Sequence, residues 1–298
     1  MGRDYEKWTS QDGRVTLYRG DCNEILPTLA ENSIDAIITD PPYAEVSRDY
    51  GRLTEPEWFA LINPVMEESR RVLTPTGSGV YILQPNSEKI GRLRMWLFKF
   101  IVKWGEEWGM VQDVWWWNYV ALPVSGACSY GLCRPSMKIC AWFGAADCFR
   151  NQKKVLLRES KRNMGQRVNA RSGIVKNPSG LDIDKKKIAT ATLKNGGVTP
   201  FNLLPFSNGG GTDKSGAYGH GAGTPLALAD WWTRYISPPG GTILDPFLGA
   251  GTMGLAALAH GRRFIGIERD ANYFEISKKR IAAVLAQPDM FAAIGETE

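Results

Sequence analysis

The chain has no apolar run approaching the roughly 20 residues that a membrane-spanning helix needs, which argues against such a helix. Its opening stretch, MGRDYEKWTS, carries no apolar segment, so no secretory leader is expected. Gly2 is followed by Arg-Asp-Tyr-Glu, without the Ser or Thr that a myristoylation signal usually has. A cytoplasmic protein is the simplest expectation. Cysteine is scarce and odd in number (Cys22, Cys128, Cys133, Cys140 and Cys148), no CxxC pair occurs, and there are only two histidines. That pattern argues against both a disulfide framework and a zinc site, so reduced thiols and no metal are expected. Acid is nearly missing from one segment. Between Arg150 and Lys187 stand twelve Lys or Arg against Glu159, Asp182 and Asp184, a local balance of +9 in a chain whose net charge is +5. Such a concentration suits a polyanion such as nucleic acid, and equally suits a solvated basic loop.

What is present is a regular alternation in the first and last thirds. Val15–Arg19, Ile34–Thr39, Gly79–Leu83, Gly241–Leu244 and Arg263–Ile267 read as short strands, and IDAIIT has the continuous apolar, β-branched character of a buried parallel strand. Helical spacing covers Asn23–Ala30, Glu57–Leu73, Glu88–Lys103, Leu226–Ile236, Thr252–His260 and Asn272–Leu285. Val111–Asn118 and Met137–Phe143 suggest a strand pair near one sheet edge. The alternation predicts a doubly wound, mainly parallel α/β sheet. Arg150–Gly223 breaks the pattern: it is rich in Lys, Arg, Asn, Gly and Ser, has poor hydrophobic periodicity, and ends in the connector-like NGGGTDKSGAYGHGAG.

Two motifs carry chemistry. In TILDPFLGAGTMGLAALAHGRRFIGIERD a strand ends at Asp245, a glycine turn follows, and a helix begins near Thr252. Gly249 and Gly251 let backbone turn sharply and approach a ligand. The next strand ends at Glu268, seventeen residues after Gly251, where a carboxylate can accept from two ribose hydroxyls. Gly249-x-Gly251-x-x-Gly254 also fits a nicotinamide or flavin dinucleotide, or a ligand-free packing turn. Asp245 favours S-adenosylmethionine, since a carboxylate there repels pyrophosphate but suits an ammonium, and Phe247 offers an apolar face to adenine or sulfonium. The second motif is Asp40-Pro41-Pro42-Tyr43, directly after IDAIIT. The prolines forbid helix and hold the Asp side chain and the Pro41 carbonyl at the strand's carboxyl edge, where open α/β sheets bind ligands. A plain strand-exit turn would look the same in isolation. The functional reading is that Asp40 and the Pro41 carbonyl accept the two N–H hydrogens of an aromatic amine. That localises the nitrogen lone pair for attack, while Tyr43 offers a flat face to an extruded base.

With both motifs in this order, about 200 residues apart, the chain resembles the DNA amino-methyltransferases of the permuted β class. The resemblance covers most of the chain and weakens over about residues 146–218. It implies a seven-stranded, Rossmann-like S-adenosylmethionine-dependent methyltransferase sheet. The catalytic and cofactor domain would be formed by residues 1–145 and 219–298, with 146–218 as a target-recognition insertion. It also places Asp21 and Cys22 of Gly20-Asp21-Cys22 near the cofactor's adenosine. His220, Thr224 and Pro225 fall in the segment before the first helix of the cofactor half. Family members often carry Lys where this chain has Thr224, and Ser where it has Ala250. The basic middle then becomes a double-stranded DNA contact surface, through Arg150, Lys153, Lys154, Arg158, Lys161, Arg162, Arg167, Arg171, Lys185, Lys186 and Lys187. Trp115–Trp117 fits core packing better than base stacking. The leading reading is an adenine-N6 enzyme acting on a flipped-out base. A cytosine-N4 enzyme of the same build, where Ser commonly replaces Asp40, is the alternative. An RNA methyltransferase, a non-catalytic DNA-binding regulator and a dinucleotide oxidoreductase explain fewer of these residues. A homodimer and a partner restriction endonuclease are family-level expectations.

Overall fold

The computed structural model describes residues 5–47, 51–117, 131–133, 135–157, 174–176, 182–184, 187, 190, 192, 194, 196–206 and 223–286. Its elements are β1 (Glu6–Thr9), β2 (Val15–Arg19), α1 (Cys22–Ile25), β3 (Ile34–Thr39), α2 (Glu55–Val72), β4 (Leu73–Leu83), β5 (Ser87–Lys89), β6 (Arg92–Leu93), α3 (Trp96–Trp104), β7 (Met110–Trp117), β8 (Met137–Gly144), β9 (Ile174–Lys176), β10 (Asp182–Asp184), β11 (Leu203–Pro205), α4 (Leu226–Ile236), β12 (Thr242–Asp245), α5 (Thr252–Ala259), β13 (Arg263–Glu268) and α6 (Ala271–Leu285). No described helix is long and apolar enough to cross a membrane.

Nine strands form one sheet in the order β1-β2-β13-β12-β3-β4-β8-β7-β11. The five from β2 to β4 are parallel, β8 runs antiparallel between β4 and β7, and β1 and β11 are short edge additions. The expected seven strands are therefore all present, with one more at each edge. Leu203–Pro205 lies in the stretch that the sequence suggested as insertion, yet it pairs in parallel with Trp115–Trp117. β3 is buried along nearly its whole length, as a central strand covered on both faces must be.

Helix α2 starts at a capping box: Thr54 and Glu57 satisfy each other's backbone N–H groups. It buries Trp58, Ile62, Val65, Met66, Ser69 and Val72 at three- and four-residue spacing, and passes directly into β4. The helix expected from Glu88 begins only at Trp96, because residues 87–93 fold into a small antiparallel hairpin turning at Gly91, whose φ is +76°. Trp96, Leu97, Phe100 and Trp104 of α3 join α1 and α2 in the core cluster on one side of the sheet. On the cofactor half, α4 packs on β3 and α5, and α5 packs on β12, β13 and α6.

Successive strands run outward from the centre in two directions. From β3 the chain crosses over through α2 to β4; from β12 it crosses through α5 to β13 on the other side. The reversal between β3 and β12 opens a crevice at their carboxyl ends, where open α/β sheets bind ligands. The chain divides into two compact units, Met1–Arg150 with Asn202–Glu298 and, separately, Asn151–Phe201. The smaller unit contains the antiparallel pair β9–β10 and a bridge between Leu157 and Val198.

Candidate active site

Asp40 follows β3 and Asp245 ends β12, so the two motifs meet at the crevice. Thr39 joins them, its Oγ1 donating to Asp245 Oδ1 at 2.6 Å across 206 residues of sequence. Beyond Asp40 the two prolines keep the backbone extended, and Trp58 Nε1 donates to the Pro42 carbonyl at 2.6 Å. Asn86 Nδ2 holds the Ala44 carbonyl at 2.6 Å. Among the described residues no N–H reaches the Pro41 carbonyl.

The Asp40 carboxylate is held on both oxygens. Tyr43 Oη donates to Oδ1 at 2.5 Å, and Thr224 Oγ1 donates to Oδ2 at 2.7 Å. Tyr43 is only 7% exposed, so little of the flat face expected for base stacking is open; the remainder lines the cleft. Lys138, near the start of β8, donates to Tyr43 Oη at 2.8 Å and stands 3.6 Å from Asp40 Oδ2. Sequence reading missed this lysine. The available signal was a lone cation in the otherwise apolar strand MKICAWFG, which needs an acid or an aromatic face beside it. Thr224, which the resemblance placed on the cofactor, also lines the cleft, but its hydroxyl is committed to Asp40.

The second half of the site is built on the glycine turn. Gly249 and Gly251 have φ of +51° and +82°, a region that favours glycine. Gly251 caps α5, and Thr252 opens the helix. Gly254 serves packing: a Cβ there would lie 2.9 Å from Ile281 Cδ1 and from Phe264 Cε1. Glu268 receives Gly249 N at 2.7 Å and Asp270 N at 2.8 Å, one on each carboxylate oxygen. Burial nevertheless pushes its pKa up. Asp245 is 2% exposed and accepts from Phe247 N at 3.1 Å on the oxygen that Thr39 also meets. Burial pushes its pKa up to about 7, opposed by those two hydrogen bonds. Gly20 N donates to the Glu268 carbonyl at 2.9 Å, which brings Asp21 to the cleft rim. Asp21 caps α1 by accepting from Asn23 N at 2.9 Å, and burial pushes the Cys22 thiol up to about 12. Pro225 caps α4, and His220 lies outside the described residues.

Together these residues enclose a cavity of about 640 Å³. Asp21, Asp40, Asp245, Glu268 and Asp270 line it, Arg269 is the single cation among the described lining residues, and Phe247, Met253, Leu61 and Ile267 supply apolar walls. The acids suit a cationic ligand bearing ribose hydroxyls, and they would repel a pyrophosphate. The volume is in the range that small-molecule pockets occupy. The fit is therefore to a nucleoside that carries an ammonium or sulfonium.

Of the basic residues proposed from sequence, Arg158, Lys161, Arg162, Arg167, Arg171, Lys185 and Lys186 lie outside the described residues. Arg150 belongs to the larger unit and donates to the Ala146 carbonyl at 2.6 Å. Lys153 and Lys154 are exposed on a short turn of the smaller unit, and Lys187 is exposed beside Asp184, which accepts its backbone N–H at 3.0 Å.

Comparison with known proteins finds a match to the DNA methylase (N6/N4 methyltransferase) family over residues 34–279. The type II methyltransferase M.PvuII of Proteus hauseri is 25% identical over 92% of this chain and 84% of its own length. M.HinfI of Haemophilus influenzae is 26% identical over 92% and 70%, respectively. Among solved structures, the PvuII DNA methyltransferase, named as cytosine-N4-specific, superposes with a TM-score of 0.70 at 21% identity, covering 99% of this chain and 98% of that one. M1.HpyAVI in complex with SAM gives 0.56 at 20% identity, over 90% and 98%. At these identities the structural likeness concerns the fold.

Proposed function

The chain belongs to the N6/N4 family of DNA methylases, and from that premise we propose that it transfers a methyl group from S-adenosylmethionine to N6 of a flipped-out adenine in double-stranded DNA. The observation that carries this reading is the Thr39–Asp245 hydrogen bond, which makes Asp40 and the acid-lined cleft parts of one site. In this reading Glu268 accepts from ribose hydroxyls and Asp245 meets the methionine ammonium, while Asp21, Phe247, Gly249 and Thr252, which line the cleft, complete the cofactor's surround. When bound, S-adenosylmethionine supplies an electrophilic methyl group on a sulfonium and leaves as a neutral thioether.

An adenine amine is a poor nucleophile because its lone pair is delocalised into the ring. Asp40 and the Pro41 carbonyl accept its N–H hydrogens and draw the nitrogen towards tetrahedral geometry. Asp40 must first release one of the hydroxyls, Tyr43 or Thr224, that occupy its oxygens. Orientation and fixed dipoles in a half-closed site supply most of the acceleration. Residues 146–218 provide target recognition, and their Lys and Arg contact phosphates. The enzyme acts in the cytoplasm, where a partner endonuclease fits the type II naming of its relatives.

Asp at position 40 favours adenine. The second reading, cytosine N4, is favoured by the likeness to the PvuII enzyme. The test is nucleoside mass spectrometry of DNA from cells expressing the chain, beside an Asp40→Ala control. New N6-methyladenine that disappears in the control is the expected result. N4-methylcytosine would overturn the base assignment, and full activity of the control would overturn the site.

A further inference from the structure

Lys138 lies on β8 opposite Trp116 of β7, in a position where a lysine has little to gain from solvent: its side chain is 13% exposed. Its ammonium lies 4.7 Å from the centre of the Trp116 ring and 5.2 Å from that of Tyr43. Trp116 is itself fully buried and pinned through Nε1 to the Phe206 carbonyl at 2.8 Å. The ammonium is therefore held over a fixed ring. Among the described residues, the only ion pair of this ammonium is with Asp40. Burying a cation is costly unless it is paired and hydrogen-bonded, and one aromatic face with one hydroxyl meets only part of that cost. A neutral residue would serve packing better at this point, so the charge calls for a role.

We propose that Lys138 is a positioning residue of the methyl transfer: its ammonium balances the Asp40 charge and holds the Tyr43 hydroxyl, so that Asp40 stays an acceptor when a hydroxyl leaves it for the target amine. This rests on the reading of Asp40 as that acceptor. Lys138 touches neither the amine nor the cofactor in this scheme; it acts through Asp40 and Tyr43. Lys138 donates to Tyr43 Oη at 2.8 Å, so the hydroxyl oxygen keeps that donor when its hydrogen turns away from Asp40 Oδ1.

The experiment is the pH profile of single-turnover methyl incorporation into unmethylated plasmid DNA, between pH 5.5 and 9, with cofactor affinity measured alongside. Lys138→Gln keeps a donor for Tyr43 but removes the charge. Its acidic limb should move upward by roughly one to two pH units, the effect of deleting an opposite charge at this range. The rate should fall most at the acidic end of the range and recover towards pH 9, with cofactor affinity within about twofold of the parent. Lys138→Arg should return the limb towards the parent position. A limb that does not move in Lys138→Gln, or that sits equally displaced in Lys138→Arg, would overturn the assignment. Should Lys138→Gln lose cofactor binding, Lys138→Met, which keeps an unbranched side chain, takes its place. Loss of binding in both would also overturn the proposal, because the lysine would then be holding the fold. Asp40→Ala, which leaves no side-chain acceptor, separates the two readings. If it retains turnover, the acceptor role of Asp40 fails; if it is inactive while Lys138→Gln leaves the limb in place, only the role of Lys138 fails.

Discussion

Asparagine in place of Asp245 keeps the side chain's shape and removes its charge. The amide oxygen can still accept from Thr39 Oγ1 and Phe247 N, the donors now at 2.6 and 3.1 Å. What disappears is a carboxyl group whose pKa burial pushes from 3.8 to about 7. A raised carboxyl pKa means that the folded state prefers the protonated form. The stability this contributes is complete below pH 3.8 and is lost as the pH rises through 7. At about 1.4 kcal/mol per pH unit, the ionised group costs the ligand-free protein about 4 kcal/mol above pH 8. Asp245→Asn should therefore be the more stable protein, and its advantage should widen by about 2.5 kcal/mol between pH 5 and pH 8.5. Cofactor binding should move oppositely. The parent gains affinity as Asp245 ionises, up to about pH 7, and then levels off. The variant should bind about ten- to a hundredfold more weakly above that pH and show no such rise, having lost a buried charge partner. Urea unfolding without ligand and calorimetric titration with S-adenosylmethionine, each at several pH values, read both effects. A variant less stable than the parent at pH 8.5, or one with the parent's affinity and pH slope, would refute the reasoning.

Other substitutions test separate parts of the site. Gly251→Ala places a Cβ at φ +82° and 3.0 Å from Ser277 Cβ, and should lower stability by about 1–3 kcal/mol in urea unfolding. Glu268→Gln turns one acceptor oxygen towards an N–H as a donor, since Gly249 N and Asp270 N meet opposite oxygens; cofactor affinity should fall about tenfold or more by calorimetry. Thr54→Ala removes half of the α2 capping box and should cost about 1 kcal/mol, with little change in cofactor affinity. Replacing Lys185, Lys186 and Lys187 together by Ala should weaken DNA binding and flatten its salt dependence by up to about three charges; an unchanged slope would remove them from the interface.

Much of the architecture was legible because the relevant preferences are local. The unbroken apolar run IDAIIT, the six-residue buried stripe of α2 and the glycine turn before Thr252 each declare themselves within a few residues, and each forms the element expected of it. Where local signals failed, a turn or a partner intervened. Gly91 converts the start of an expected helix into a hairpin, and Leu203–Pro205 becomes a strand only because β7 offers it an open edge. The backbone of the two motifs was also readable, since prolines fix a backbone and glycines free one whatever surrounds them. The assembly of the site was not. Strand order brings Thr39 to Asp245 and Lys138 to Asp40, and the segment leading into α4 brings Thr224 there. Contacts across a sheet depend on which strands become neighbours, and nothing in the spacing of Asp40, Lys138 and Thr224 encodes that. By itself the sequence determined the central strands, the two motif turns and the residue types that line the cleft; the tertiary structure decided which hydroxyls and which cation hold Asp40, because those partners arrive from distant segments only when the sheet assembles.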